Sequence, residues 1–572
     1  MTAATIQADG EKLLHRLEIN PHDGAAYDAL GIFALDHQST TEAIDLFSKA
    51  IQLDGPVPRY CAHLGEAFAR LGDYRRASAC IGQALVGEPG SNELRWAYAN
   101  LLHLDGENDQ AAKNYEILVA QSPRHSEAWF NLGVTRSLQK RQDEARRAYE
   151  QAVGVTPSYA EAWNNLALLE VEAADLSAAE ACYRRALLVK PDYRDALYNF
   201  AVLLQEAGRL PEAISIYERL ISVDAGFSEA HNNLGNCYMK MNRLAEAQNQ
   251  YVETLAIHAS HREAPMNLGI VSLLMGDYAR GWAGYEHRLT QHDAVPRNWK
   301  IPLWDGQLRN GASILVHSEQ GMGDTIQFAR YLPLLTGAGM LVDVFCPPQL
   351  ESLIAAIPGI RRCSSSPDFL AALDSSPAID FQLPFPSLPY RFRTRLETIP
   401  SPSAYLKTDP QSRENWCQAF AAMPPAKRRV GLVWQGNPKH RNDHNRSLPP
   451  HLLEDLLSAP GHQFLSLQKD IPRGSVPESI ADLSPLLADF NQTAAAIECL
   501  DLVISVDTAV THLAGALGKP VWTLLPYAPD WRWLLYRDDT PWYSSMRLFR
   551  QPIPGDWPSV IREIKRSLLD PL

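Results

Sequence analysis

Nowhere in the 572 residues does an apolar run approach the roughly 20 residues that a membrane-spanning helix needs, so none is expected. Positive charge is also short: 53 Lys and Arg stand against 66 Asp and Glu, for a net charge of -13. That balance excludes a general nucleic-acid binder, which needs a basic footprint. The eight cysteines (Cys61, Cys80, Cys182, Cys237, Cys346, Cys363, Cys417 and Cys499) form no CxxC pair and no metal-ligand spacing. Scattered single thiols read as reduced residues of a cytosolic protein. The opening MTAATIQADGEKLL has no basic segment followed by an apolar stretch, so no secretory signal is expected. These absences point to a cytoplasmic protein, and its length requires more than one core.

What is present is first a repeat. Stepping by 34 residues from Gly31 lands on Gly65, Ala99, Gly133, Ala167, Ala201, Gly235 and Gly269, all small. Twelve residues beyond each lie Ala43, Ala77, Ala111, Ala145, Ala179, Ala213, Ala247 and Gly281. Tyr115, Tyr149, Tyr183, Tyr217, Tyr251 and Tyr285 follow at the same step, and Pro89, Pro123, Pro157 and Pro191 close several units. The pattern predicts eight pairs of antiparallel helices. Small residues stand where helices cross closely, aromatics fill the space between units, and proline ends the second helix. It resembles the tetratricopeptide repeat, whose stacked units curve into a solenoid with a concave groove. Asn131, Asn165, Asn199, Asn233 and Asn267 form a further column. An amide both donates and accepts, so such a row can hold an extended peptide by its backbone. It is similar to the asparagine ladder of protein O-linked N-acetylglucosamine transferases, although Asn is also frequent at this position of ordinary repeats.

After a junction containing Pro296, Trp299, Pro302 and Trp304 the pattern changes. Short apolar runs at Ser313–His317, Leu341–Cys346, Val430–Trp434, Phe464–Leu467, Leu502–Val506 and Val521–Leu525 alternate with helical stretches. This is the pattern of parallel sheet in α/β units. A proline-rich region at 384–425 divides the runs into two Rossmann-like halves. The expected organisation is a repeat solenoid over 1–290, a junction over 291–312, and two α/β halves over 313–425 and 426–572.

Ligands bind such sheets at the carboxyl ends of the strands. After the first run comes Ser318-Glu319-Gln320-Gly321-Met322-Gly323-Asp324, where two glycines permit close backbone approach and Asp324 opens a helix. The simpler reading of Asp324 is a helix cap. After the third run, Gln435, Asn437, Lys439, Arg441 and Arg446 interleave cations with amides, a candidate phosphate site, and Lys469 follows the next run. After the fifth run, Asp507 and Thr508 open a helix whose N-terminus offers free N–H groups to a phosphate, with His512 close by. A packed helix histidine is the alternative for His512. Trp522, Trp531, Trp533, Trp542 and Tyr543 are expected to fasten the C-terminal segment to the core.

The segments GMGDTIQFARYLP, VGLVWQGNPKHRNDHNRSLP and DLVISVDTAVTHLAGALGKPVW resemble bacterial tetratricopeptide-containing glycosyltransferases related to the heptosyltransferases. The resemblance implies a GT-B fold, a nucleotide-activated sugar donor, no cofactor and no metal, in keeping with a missing DxD motif. It also implies Asp324 as the catalytic base, and Glu319 in the same turn is the second candidate. Gln320, Gly321, Gly323 and the cation-rich and helix-opening residues would bind the donor. Ala509 stands where the family has glycine. In architecture the chain is similar to flagellin-modification glycosyltransferases, which implies a protein acceptor such as flagellin and a CMP-linked nonulosonic acid of the pseudaminic type. A glycan or lipid-linked acceptor, or a non-catalytic scaffold, is the alternative.

Overall fold

The computed structural model describes residues 3–290, 301–374, 379–440, 442–469 and 476–569. It divides into two compact units, Met1–Ala225 and Gly226–Leu572.

The first unit is all-helical. After an opening helix, Ala3–Ile19, helices pair from Gly24–Asp36 with Thr40–Asp54 through to Arg194–Glu206 with Leu210–Val223. The 34-residue columns explain the packing. Gly133, on Ser126–Leu138, sits under the ring of Tyr149 on Gln142–Val155, where a Cβ would lie 2.6 Å from Cδ1. The tyrosines therefore fill the gap between the two helices of one unit rather than between units. Ala111, Ala145, Ala179 and Ala213 are wholly buried. Ala179→Leu should overpack a helix crossing and cost about 1–3 kcal/mol, measured as a lowered denaturant midpoint for this unit.

Another column sets the turn inside every pair. Gln38, Gly72, Gly106, Lys140, Ala174, Gly208, Asn242 and Gly276 all have φ between 56° and 86°. Half of them are not glycine, so composition alone does not reveal the column.

The second unit begins with two more helix pairs, Ser228–Lys240 with Leu244–Ile257 and Ala264–Leu274 with Tyr278–Tyr285. The change of secondary structure falls between Thr290 and Ser313, but the change of packing falls earlier, at Ala225/Gly226. Tyr278, Trp282 and Tyr285 share one core with Phe328, Trp531 and Trp542, and Trp282 Nε1 donates to the Thr394 carbonyl at 3.0 Å.

Two parallel sheets follow. The first contains β1 (Ser313–His317), β2 (Leu341–Phe345), β3 (Ile360–Ser364) and β4 (Phe381–Pro384) in the order β3-β2-β1-β4. The second contains β5 (Arg428–Val433), β6 (His462–Ser466), β7 (Ala481–Asp482), β8 (Leu502–Val506), β9 (Val521–Leu525) and β10 (Met546–Arg550) in the order β10-β9-β8-β5-β6-β7. The chain order reverses between β1 and β4 and again between β5 and β8, the switch points where Rossmann-like sheets open a ligand crevice. The arrangement is that of a GT-B-like α/β region. Numbering the helices of this region from its start, those used below are α1 (Met322–Phe328), α2 (Pro410–Ala421), α3 (Phe490–Glu498) and α4 (Ala509–Ala516).

The expectation of reduced thiols fails at one place. Cys417 on α2 and Cys499 at the end of α3 form a disulfide with Cα atoms 5.6 Å apart, while the other six cysteines are free. The partners lie 82 residues apart in sequence, so spacing cannot announce the pair.

Candidate active site

Both switch points carry the residues singled out from the sequence. Asp324 lies in the first turn of α1, directly after the glycine turn at the end of β1. Gly323 faces α4, and a Cβ there would lie 3.0 Å from His512 Cδ2 and 3.6 Å from Ala509 Cα. The second glycine of the turn is thus explained by close approach of α1 to α4. A Cβ on Gly321 would meet only the Asp324 carboxylate. Gln320 accepts from the Tyr285 hydroxyl at 3.0 Å.

Asp324 is not merely a helix cap. Its carboxylate is ion-paired with Arg532, whose Nη1 also donates to Asp530 Oδ1 at 2.8 Å. Arg532 further bonds Gln327 and lies over the Trp531 ring at 4.4 Å. Burial pushes the Asp324 carboxyl above the usual range while the Arg532 charge opposes the rise. Glu319, the second candidate base, is paired with buried Arg288, its Oε1 3.2 Å from Nε. Burial raises its pKa too, against the pull of Arg288.

In the second half, Arg446 links the two strands of the switch point. Its Nε donates to Asp443 Oδ1 at 3.0 Å and its Nη1 to the Asp507 carbonyl at 3.1 Å. Gly436 leaves room for this guanidinium, because a Cβ would fall 2.7 Å from Nε. The basic loop is therefore partly neutralised by its own Asp443, which the sequence reading did not count. Lys439 is exposed, and its backbone N–H donates to Asn437 Oδ1 at 3.0 Å. Arg441 lies outside the described residues. The buried Gln468 amide holds the backbone of Trp434 and Gln435, with Gln435 N 3.0 Å from Oε1, and so staples the loop. Lys469 Nζ points to the Ala488 carbonyl at 3.4 Å.

Thr508 is the N-cap of α4 in extended conformation and makes no side-chain cap bond, so the first N–H groups of α4 are not capped by it. Asp507 is pushed up to about 6 by burial and by Asp530, against Arg532 and Arg446. His512 is buried, stacked 5.3 Å from Trp533, with Nδ1 3.0 Å from the Tyr543 hydroxyl. Burial, with Arg532 and Arg330 nearby, holds its pKa well below the usual histidine range, so it stands neutral. Trp522, Trp531, Trp533, Trp542 and Tyr543 are all buried, as expected for a fastened C-terminal segment.

The asparagine column is half-buried. In the first unit Asn131 Nδ2 donates to Asn100 Oδ1 at 2.9 Å, Asn199 to Asn164 Oδ1 at 3.2 Å, and Asn165 to the Tyr149 hydroxyl at 3.5 Å. In the second unit Asn267 donates to Asn232 Oδ1 at 3.1 Å, and Asn233 sits half-buried on Ser228–Lys240. These amide donors tie one repeat to the one before, which leaves fewer groups for a peptide than a bare sequence suggests.

Residues 470–548 match glycosyltransferase family 9 (heptosyltransferase). Tetratricopeptide repeats match at 64–112, 105–158, 139–187, 164–230 and 204–266. The chain thus carries tetratricopeptide repeats over 64–266 and, over 470–548, a segment similar to glycosyltransferases of the heptosyltransferase type. It is 27% identical over 325 residues to Protein FlbA of Caulobacter vibrioides, 52% of this chain and 53% of that one. It is 30% identical over 117 residues to the cytochrome c-type biogenesis protein CycH of Rhizobium meliloti, 20% of this chain and 27% of that one. The chain thus spans about half the length of the first relative and about a quarter of the second. Among solved structures, YrrB, a TPR protein with an unusual peptide-binding site, is similar at a TM-score of 0.31 and 19% identity, covering 33% of this chain and 98% of that one. No helix among the described residues is long and apolar enough to cross a membrane.

Proposed function

We propose that this protein transfers a sugar from a nucleotide-activated donor to a Ser or Thr hydroxyl of a protein acceptor, without a metal or cofactor and in the cytoplasm. The observation that carries this reading is the apposition of the Gly323-Asp324 turn and the N-terminus of α4, which places a carboxylate's turn beside a helix end that Thr508 does not cap. The acceptor oxygen attacks the anomeric carbon, Asp324 takes its proton, and the sugar–phosphate bond breaks with the nucleotide leaving as an anion. Helix α4, Lys439, Arg441 and Arg446 would stabilise that anion, with Lys469 at the margin. Gln320, Gly321, Gly323, Gln435, Asn437, Asp507, Thr508 and neutral His512 would line the donor. Supporting the sugar chemistry is the heptosyltransferase-type match. Flagellin as acceptor and a CMP-linked nonulosonic acid as donor follow from the architectural resemblance, with the FlbA likeness in keeping. The acceptor would lie along the repeats, at Asn131, Asn165 and Asn199 in the first unit and Asn233 and Asn267 in the second.

Two results test the donor site. Transfer should persist in EDTA, whereas loss in chelator and recovery with Mg²⁺ or Mn²⁺ would assign the phosphate to a metal. Arg446→Ala removes a charged bond across the switch point and should weaken nucleotide binding about tenfold by calorimetry. Unchanged affinity would place the phosphate elsewhere.

A further inference from the structure

We propose that Arg532 is the positioning residue of this site, fixing the Asp324 carboxylate in the first turn of α1. The inference rests on the reading of Asp324 as the base. Arg532 is held from every side. Its guanidinium bonds Asp324, Asp530 and Gln327 and covers the Trp531 ring. The chain that presents it is strained: Leu534, only 6% exposed, has φ 51° and ψ -169°, a region that is essentially glycine's. Such a conformation persists only where its surroundings over-determine it. Here they do. Arg550 holds both sides of the turn, donating from Nη2 to the Trp533 carbonyl at 2.6 Å and from Nε to the Arg537 carbonyl at 2.9 Å.

An arginine bound to two carboxylates divides its effect between them. Asp530 competes for Arg532 and repels Asp324, so the two neighbours act on Asp324 in opposite directions. The other charged or titratable groups facing Asp324 are Arg288 and Tyr285 from the repeat end, Glu319 from its own loop and His440 from the loop after β5, while at α4 His512 lies beside Gly323 and Asp507 faces Asp530 and Arg532. None of them bridges Asp324 and Asp530 as Arg532 does.

Infrared difference spectra of the full chain, wild type minus Asp324→Asn, followed through pH, report the protonation of Asp324 without any substrate. Arg532→Met should move the midpoint to higher pH, Arg532→Lys should return it toward wild type, and Asp530→Asn should move it to lower pH. A midpoint unmoved in Arg532→Met, with only the melting temperature lowered, would reduce Arg532 to a structural residue and overturn the proposal. If Arg532→Met does not fold, Asp530→Asn still decides, because an unchanged or raised midpoint contradicts the competition. In a transfer assay with CMP-activated nonulosonic acid and flagellin, Arg532→Met should lower kcat by about 10²-fold, the loss that misplacement brings, with little change in donor affinity. Full transfer by Asp324→Asn would instead sink the reading of Asp324 as base, leaving the titration result standing.

Discussion

In the proposed sugar transfer, Asp324→Ala should lower kcat by about 10²–10⁴-fold, the usual share of a general base. A neutral hydroxyl is a poor nucleophile, and in the proposed mechanism its proton goes to Asp324 at the end of β1 as the new bond forms. Glu319 cannot easily replace Asp324, because both of its oxygens already face buried Arg288. Nucleotide affinity should stay close to wild type, because the proposed anion-binding groups belong to the loops after β5 and β8. The variant should also fold. Arg532 keeps Asp530 as a partner at 2.8 Å, so the substitution does not strand a buried cation. Turnover like that of the parent would remove Asp324 from the mechanism.

Deleting residues 1–225 should preserve donor binding and abolish modification of a protein acceptor. The cut follows the packing boundary at Ala225/Gly226. A cut at the end of the repeats, near residue 290, would strip Tyr278, Trp282 and Tyr285 from the core they share with Phe328 and Trp542 and damage the catalytic region itself. If the repeats hold the acceptor, their contribution is effective concentration, on the order of millimolar for a short tether. Without Asn131, Asn165 and Asn199 only Asn233 and Asn267 remain to hold the acceptor, too short a stretch to keep the hydroxyl at the site. Retained melting and nucleotide binding in the truncated chain, together with lost acceptor modification, is the expected pair of results. Modification as fast as that of the full chain would mean that the acceptor is recognised entirely by residues 226–572.

Much of the fold was legible because it repeats or because it is buried on both faces. The 34-residue columns needed only counting, and β1, β8 and β9 appear with the bounds of their apolar runs. The strands that went unread lack that signature. β3 carries Arg361 and Arg362, both bonded to Asp343, on the edge of its sheet, and β7 is two residues long. At the site, strand ends pointed to Asp324, Arg446 and Asp507, but not to their partners. Arg532 lies 208 residues from Asp324 and sits in a tryptophan-rich stretch that reads as core. Arg330, buried among the Tyr405, Trp542 and Tyr543 rings and bonded to the Pro400 and Trp542 carbonyls, is equally silent in sequence. The asparagine column was legible as a column. Its hydrogen bonds to the preceding repeat were not, because Asn100, Asn164 and Asn232 stand outside that register.

The most direct measurement is the intact mass of flagellin co-expressed with the full chain and a pathway supplying CMP-activated nonulosonic acid, beside the same experiment with Asp324→Ala. The account predicts flagellin heavier by whole sugar residues with the parent protein and unmodified with the variant. Flagellin of unchanged mass in both, or of equally raised mass in both, would contradict it.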